Sequence, residues 1–292
     1  MIRLHFSNSK KADILCHNGI FHADDVFSSV LLCEVFDRPL RICRTNCIPD
    51  NLSANTIVFD IGYGKYDHHQ KGGNGVRENG IPYASFGLLW RDYGKEFCKK
   101  IGLDPQFGML EFDRFVEGID GYDNGLFHEE STPIMNISQC IRQFNPPWEA
   151  NSIKVENTCF LNAVKFADVV FQNTINGIKS RYHAHSELLK ELEKTSSDTM
   201  ILQRFLPYSA CPEMKGRINK IIYPSLRGGF NLQIISSEYR LPKSLSGLNS
   251  EKLQRITGIP SAGFVSNNGR LCGTGTIEDA HKFLKLIENI KP

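Results

Sequence analysis

Two clusters of histidine and aspartate in this chain could do chemistry: His17-Asn18-Gly19-Ile20-Phe21-His22-Ala23-Asp24-Asp25, and Asp67-His68-His69, a few residues after an apolar run ending in Asp60. Imidazoles and carboxylates bunched at the ends of hydrophobic strands offer the donors a divalent transition metal needs. Such strand ends are also where open α/β sheets place their ligands. The bland reading of Asp24 and Asp25 is capping, since both fall in the first turn of a helix marked by Val26, Phe27, Val30 and Leu31. Capping leaves His17 and His22, in the same turn, unexplained. Asp60 follows Thr56-Ile57-Val58-Phe59, where a carboxylate is costly to bury unless a positive group meets it, and a metal would serve.

Further candidates lie along the chain. A helix is predicted from Phe107 to Ile119, ending at Asp120-Gly121-Tyr122-Asp123-Asn124-Gly125. The dipole disfavours anions at a helix end, so Asp120 and Asp123 suggest a purpose other than helix stability. Gly62 to Tyr66 lacks the lysine spacing of a phosphate loop and reads as a turn. Gln70 to Pro82 is a polar, glycine-rich loop and a candidate lid, from which Lys71 or Arg77 could touch a phosphate, although exposed bases are usually just solvated. Gly273-Thr274-Gly275-Thr276 precedes the last helix, and could hold a phosphate through backbone N–H groups or serve equally as a plain cap.

The elements that must position these residues can be placed coarsely. Strands are predicted at Ala12 to Cys16, Leu40 to Cys43 and Thr56 to Phe59, with helices from Val26 to about Phe36 and from Ala84 to Tyr93. Leu126 to Ala150 reads as irregular, with Pro146 and Pro147 ending any regular element. Asn157 to Lys194 is helical, as one or two packing helices with His183 and His185 on a wet face. Strand patterns follow at Ile218 to Tyr223 and Asn231 to Ser236, then a short helix from Ser250 to Ile256. Ala262 to Ser266 and Arg270 to Cys272 pair about an Asn267-Asn268-Gly269 turn, and a final helix runs from Glu278 to Ile290.

At 292 residues the chain is long enough for two domains, placed at 1–195 and 196–292. Its 34 Lys and Arg against 32 Asp and Glu leave a net charge of +2, too little for long-range attraction to a polyanion, so any nucleic-acid binding must be local. Nine scattered cysteines without a C-x-x-C pair indicate neither a disulfide framework nor a zinc ribbon and fit a reducing cytosol. No targeting segment and no membrane span are read, so the expected location is cytoplasmic.

The His17 to Asp25 run, Asp60, Asp67-His68-His69 and Asp120 to Gly125 resemble the MYG1 (UPF0160) family, which looks like a branch of the DHH phosphoesterase superfamily. The resemblance extends through Val76 to Ala84, Phe144-Asn145-Pro146-Pro147-Trp148, Ile256 to Pro260 and Gly273 to Ala280, covering nearly the whole chain. It implies an α/β fold: an N-terminal, mostly parallel five-stranded sheet flanked by helices, and a smaller C-terminal α/β domain that closes over a phosphorylated substrate. It also implies two Mn²⁺ or Mg²⁺ ions, with His17 or His22 and Asp24 as ligands, Asp60 bridging, His68 a further ligand, Asp120 or Asp123 completing the set, and His69 facing substrate. Two departures stand against the superfamily pattern. His17 and His22 straddle Gly19, unlike the usual His-x-x-x-Asp-x-Asp, and Ser266-Asn267-Asn268 stands where a histidine is expected before the final glycines.

The expected activity is thus a Mn²⁺-dependent phosphodiesterase, a 3′–5′ exonuclease on short or single-stranded RNA. Two ions about 3.5–4 Å apart can acidify a water and clamp both the attacking and the leaving oxygen. The alternatives are a small-molecule phosphatase or pyrophosphatase and a non-catalytic metal-binding module. No His-Glu-x-x-His supports a metalloprotease.

Overall fold

The computed structural model describes residues 3–50, 52–126, 135–149 and 152–290. It divides into two compact units, Met1–Lys179 and Ser180–Pro292. The first is built on four parallel strands, β1 (Leu4–Phe6), β2 (Ile14–His17), β3 (Leu40–Thr45) and β4 (Ile57–Val58), in the spatial order β1-β3-β2-β4. Ile14, Leu15 and Cys16 are fully buried, as in a parallel strand covered on both faces. Ile14 pairs with Ile42 on one side and Ile57 on the other, so β2 is central and delivers His17 at its carboxyl end. Four strands stand among the described residues where the resemblance implied five. β1, which the sequence patterning did not reveal, pairs Leu4 with Leu40 at one edge.

Helix α1 (Ala23–Phe36) is buried continuously from Ala23 to Cys33, so it packs on all sides rather than on one stripe. Helices α2 (Ser85–Lys100) and α3 (Pro105–Asp123) pack together around Trp90, Phe97 and Phe112. The predicted end of α3 at Ile119 is corrected: the helix runs on through Gly121 to Asp123, and the positive-φ glycine that ends it is Gly125. Asp120 and Asp123 therefore sit on helical backbone. Within the stretch read as irregular, α4 (Ile137–Arg142) forms behind Asn136, whose side chain accepts from Gln139 N–H while Gln139 Oε1 accepts from Asn136 N–H. Residues 127–134, 150 and 151 lie outside the described set.

One continuous helix, α5 (Ile153–Lys194), fills the next segment. Its last turns place Ala184, Leu188 and Leu192 in a core with Met200, Ile218 and Ile221. The units accordingly divide inside α5, ahead of Thr195 where the helical pattern stops. The second unit holds a five-stranded sheet in the order β5-β6-β7-β10-β9, from β5 (Thr199–Ile201), β6 (Lys220–Pro224), β7 (Phe230–Ile234), β9 (Ala262–Val265) and β10 (Leu271–Thr274). β5 and β6 are parallel; the other neighbours are antiparallel, and β9–β10 is the predicted hairpin. Helices α6 (Ser250–Thr257) and α7 (Ile277–Leu284) complete it. The final helix stops at Leu284 rather than Ile290, because β11 (Glu288–Asn289) pairs instead with β8 (Tyr239–Arg240). No helix among the described residues is long and apolar enough to cross a membrane.

Candidate metal centre

His17 ends β2, and its Nδ1 lies 2.8 Å from the carbonyl of Asn18. A carbonyl only accepts, so Nδ1 carries the proton and Nε2 is turned toward the site. Nε2 is 3.2 Å from both Asp25 Oδ2 and Asp60 Oδ2. Burial acts to lower the pKa of His17, but the two carboxylates outweigh it and raise it to about 11. A proton and a metal cation therefore compete for this seat.

Helix α1 supplies the next two groups. His22 is its N-cap residue, and its N–H donates to Asp25 Oδ1 at 3.1 Å, so the capping expected of Asp25 occurs while its other oxygen faces His17. Asp24 is completely buried, and neither of its oxygens accepts a hydrogen bond. Burial, then the charges of Asp123, Asp60 and Asp25, push its carboxyl well above the ordinary range.

After β4 the chain turns at Asp60, which holds a left-handed φ of 57° and donates its N–H to Tyr66 at 2.9 Å. That conformation is uncommon outside glycine, and aspartate is one of the side chains that tolerate it. It ends the strand early and leaves the Asp60 carboxylate buried. Oδ1 accepts from the Ser85 hydroxyl at 3.1 Å, at the first residue of α2. The single Ser85 proton is thereby used, so His68 Nδ1, 3.3 Å from the same oxygen, must be the donor to it. In neutral His68 this leaves a lone pair on Nε2, only 2.9 Å from Asp123 Oδ2. Two lone pairs at that distance repel unless a cation, a proton or a metal, lies between them.

His69 stacks on His68 with ring centroids 4.3 Å apart, and its Nδ1 donates to Asp67 Oδ1 at 2.8 Å. Asp67 is buried, and burial opposes its charge. Nevertheless the bonds from His69 and from the Tyr63 N–H hold its pKa down at about 2. Asp67 is thus the group that orients His69, whose ring stays half exposed with Nε2 left for the cleft. The cleft is about 590 Å³ in volume, and His22, His68, His69, Asp123 and Arg142 line it.

Three neighbouring groups in this unit have metal-ligand spacing: His17, Asp25 and Asp60; Asp60, Asp67, His68 and His69, which shares Asp60 with the first; and His22, Asp24 and Asp123. Four buried carboxylate oxygens, both of Asp24 and Oδ2 of Asp25 and Asp60, make no hydrogen bond. Buried carboxylates are normally satisfied, and a divalent cation would satisfy these, so the residues present fit a metal centre.

The span from residue 13 to residue 286, which contains this cluster, matches the MYG1 exonuclease family, described as an uncharacterised protein family (UPF0160). The chain belongs to that family. Similar members include a MYG1 protein of Schizosaccharomyces pombe, 27% identical over 91% of this chain and 94% of the relative. A MYG1 exonuclease of Bos taurus is 27% identical over 90% of this chain and 81% of its own. A MYG1 protein of Chlamydia trachomatis is 23% identical over 93% and 94%. No solved structure matches the chain significantly.

Of the residues singled out from sequence, His17, His22, Asp24, Asp60, His68, His69 and Asp123 come together here. Asp120 does not join them. It is fully buried, and its Oδ1 accepts from Gly87 N–H at 3.0 Å while Oδ2 pairs with Arg77 at 2.5 Å. Arg77, expected as an exposed phosphate contact, instead has its guanidinium on Asp120 and over the Tyr83 ring, 4.1 Å from the centroid. In the second unit, Thr274, Gly275 and Thr276 make local hydrogen bonds. Thr274 Oγ1 donates to the Thr276 carbonyl, Gly275 N–H to Ser261 Oγ, and Thr276 Oγ1 caps α7 by accepting from Asp279 N–H. Asp25 and Asp67 lie inside the two histidine-aspartate clusters but carry no ligand role in the sequence reading, and Ser85 stands outside them. The His22–Asp25 spacing could have flagged the first, but nothing in the sequence marks Ser85.

Proposed function

We propose that the chain is a divalent-metal-dependent phosphoesterase that hydrolyses phosphodiester bonds, acting as a 3′–5′ exonuclease on short or single-stranded RNA. The observation that carries this reading is the set of four buried carboxylate oxygens of Asp24, Asp25 and Asp60 that accept no hydrogen bond, two of them facing His17 Nε2, next to an open cleft lined by His22, His68 and Asp123. The exonuclease name borne by relatives such as the Bos taurus protein supports the reaction class. His17, Asp25 and Asp60 would hold one ion, and His22, Asp24, His68 and Asp123 a second, with Asp60 shared. Oxygen donors with a few imidazoles suit Mn²⁺, with Mg²⁺ as the harder alternative. Bound ions would supply Lewis acidity toward a phosphoryl oxygen and an acidified water.

The side chains of the chain do the rest. Asn18 fixes the His17 tautomer, and Ser85 holds both Asp60 and His68 in place. Asp67 fixes His69 with Nε2 toward the cleft, where it can meet a phosphate oxygen, and its hydrogen bond raises the His69 pKa. Arg142 lies on the same cleft as a cation for a neighbouring phosphate.

The test is hydrolysis of a 5′-labelled single-stranded oligoribonucleotide with Mn²⁺ or with chelator, by the native chain and by Asp60→Asn. A ladder shortening from the 3′ end, abolished by chelator, is expected. Loss of outer-sphere partners costs metal sites about 10–100-fold, so removing a direct ligand should cost at least that. Full activity of Asp60→Asn would sink the shared-ligand role. Turnover of pyrophosphate or a mononucleotide in place of the oligonucleotide would move the reading to a small phosphorylated substrate. Ion binding without any turnover would leave a non-catalytic metal module.

A further inference from the structure

A second group of metal-ligating side chains lies in the Ser180–Pro292 unit, on residues that the proposed hydrolysis does not use. His185 projects from the C-terminal part of α5, Cys211 joins two consecutive short turns, Tyr208–Ala210 and Pro212–Met214, and Glu213 lies in the second of them. His185 Nε2 is 3.1 Å from Glu213 Oε1 and 3.2 Å from Oε2, and Cys211 Sγ is 3.4 Å from Oε2. The ligand atoms of all three lie within 4.8 Å of one another.

We propose that His185, Cys211 and Glu213 bind one divalent transition metal of the Zn²⁺ or Co²⁺ class. Three observations carry it. Bonds of about 2.0–2.3 Å in a tetrahedral site set neighbouring ligand atoms roughly 3.3–3.7 Å apart, close to the contacts found here. Both hydrogens now in the cluster, on the Cys211 thiol and the His185 ring, point at one carboxylate, and a single cation at that centre would replace both. The resulting thiolate, carboxylate and M²⁺ sum to zero charge, which suits a site whose cysteine is only 3% exposed.

The turns are held independently of any metal: Arg181 donates to the Ser209 hydroxyl and carbonyl, each at 3.1 Å. Glu213 is half exposed, and Cys211 borders a cavity of about 580 Å³, so a fourth position is open to water or a small ligand. A thiolate with an imidazole selects a softer ion than the oxygen-rich centre of the first unit. On binding, the S–H bond breaks, an S–metal bond forms and the thiol proton passes to solvent. The Nε2–H bond of His185 breaks as the N–metal bond forms, its proton passes to solvent, and the neutral ring keeps one proton, on Nδ1. Burial, and then the bond to Glu213, push the free thiol up to about 11, so this proton release is coupled to metal uptake at neutral pH.

The test is a Co²⁺ titration of the full chain in excess Mg²⁺, followed by the near-ultraviolet thiolate-to-cobalt charge-transfer band. Carboxylate and imidazole ligands alone cannot produce that band. It should saturate at one equivalent, bleach on adding Zn²⁺, vanish in Cys211→Ser and weaken in Glu213→Gln. A band that is absent from the native chain, or that persists in Cys211→Ser, overturns the proposal. Should Cys211→Ser fail to fold, His185→Gln at a partly exposed position gives the same reading, and an undiminished band there overturns it as well.

Discussion

Replacing Asp24 by Asn should make the metal-free protein more stable and the metal-loaded protein less so. Asp24 is fully buried, neither oxygen accepts a hydrogen bond, and Asp123, Asp60 and Asp25 add like charge. An ion buried without compensation costs several kcal/mol, whereas the substituted amide leaves unpaired polar atoms worth about 1–3 kcal/mol. The difference favours the variant by about 1–3 kcal/mol in chelator. A unit the size of Met1–Lys179 shifts its melting temperature about 2–4 °C for each kcal/mol, giving about 2–12 °C. At a thousand times its dissociation constant a bound ion stabilises the native chain by about 4.1 kcal/mol, or roughly 8–16 °C, and the variant forfeits most of this. The order of the two melting curves should therefore reverse between chelator and Mn²⁺. The sign with pH follows from the raised carboxyl of Asp24: its ionisation begins to destabilise the fold above about pH 4, so the gap in chelator widens from there toward neutrality. Calorimetry showing the variant less stable than the native chain in chelator, or an undiminished response to Mn²⁺, would refute the account.

Two further substitutions test the scaffold. Gly87→Ala places a methyl group inside the space held by the Asp120 carboxylate and the Arg77 guanidinium. Helix propensity alone favours Ala by about 1 kcal/mol, but disrupting a buried ion pair should leave a net loss of about 2–5 kcal/mol, read from the urea midpoint. A stabilised variant would show that the pair is not needed. Asp13 ties β2 to its neighbour: Arg41 donates from its backbone N–H at 2.8 Å, its Nε at 3.0 Å and its Nη2 at 3.1 Å, and Arg38 adds a fourth bond. These bonds, Arg41 foremost, hold its carboxyl well below the usual range, so its stabilisation is present above about pH 4 and is lost as pH falls through the depressed pKa. Asp13→Asn should cost about 1 kcal/mol at pH 7, after solvent screening, with the deficit narrowing below pH 4. A deficit independent of pH would assign the effect to packing.

The sequence by itself determined the α/β class, the strands that deliver His17 and Asp60, the β9–β10 hairpin and the presence of a histidine-carboxylate cluster. These follow from signals local in the chain: apolar runs, turn residues, and ligands bunched within a few positions. It did not show where each strand and helix stops. Leu4–Phe6 is too short to carry a pattern, and β4 ends at Val58 because the left-handed turn at Asp60 takes the chain out of the sheet.

Only the tertiary structure sorted Asp120 from Asp123. The two lie three residues apart on one helix and are alike in sequence, but one meets Gly87 and Arg77 while the other meets His68 and His22. The same holds for Arg77, whose loop reads as solvated until Asp120 and Tyr83 enclose the guanidinium, and for Ser85, which acquires a role only because α2 begins beside Asp60. Whether a carboxylate serves as a ligand or as half of an ion pair depends on which neighbour neutralises it, and that neighbour is brought up by packing from 33 or more residues away.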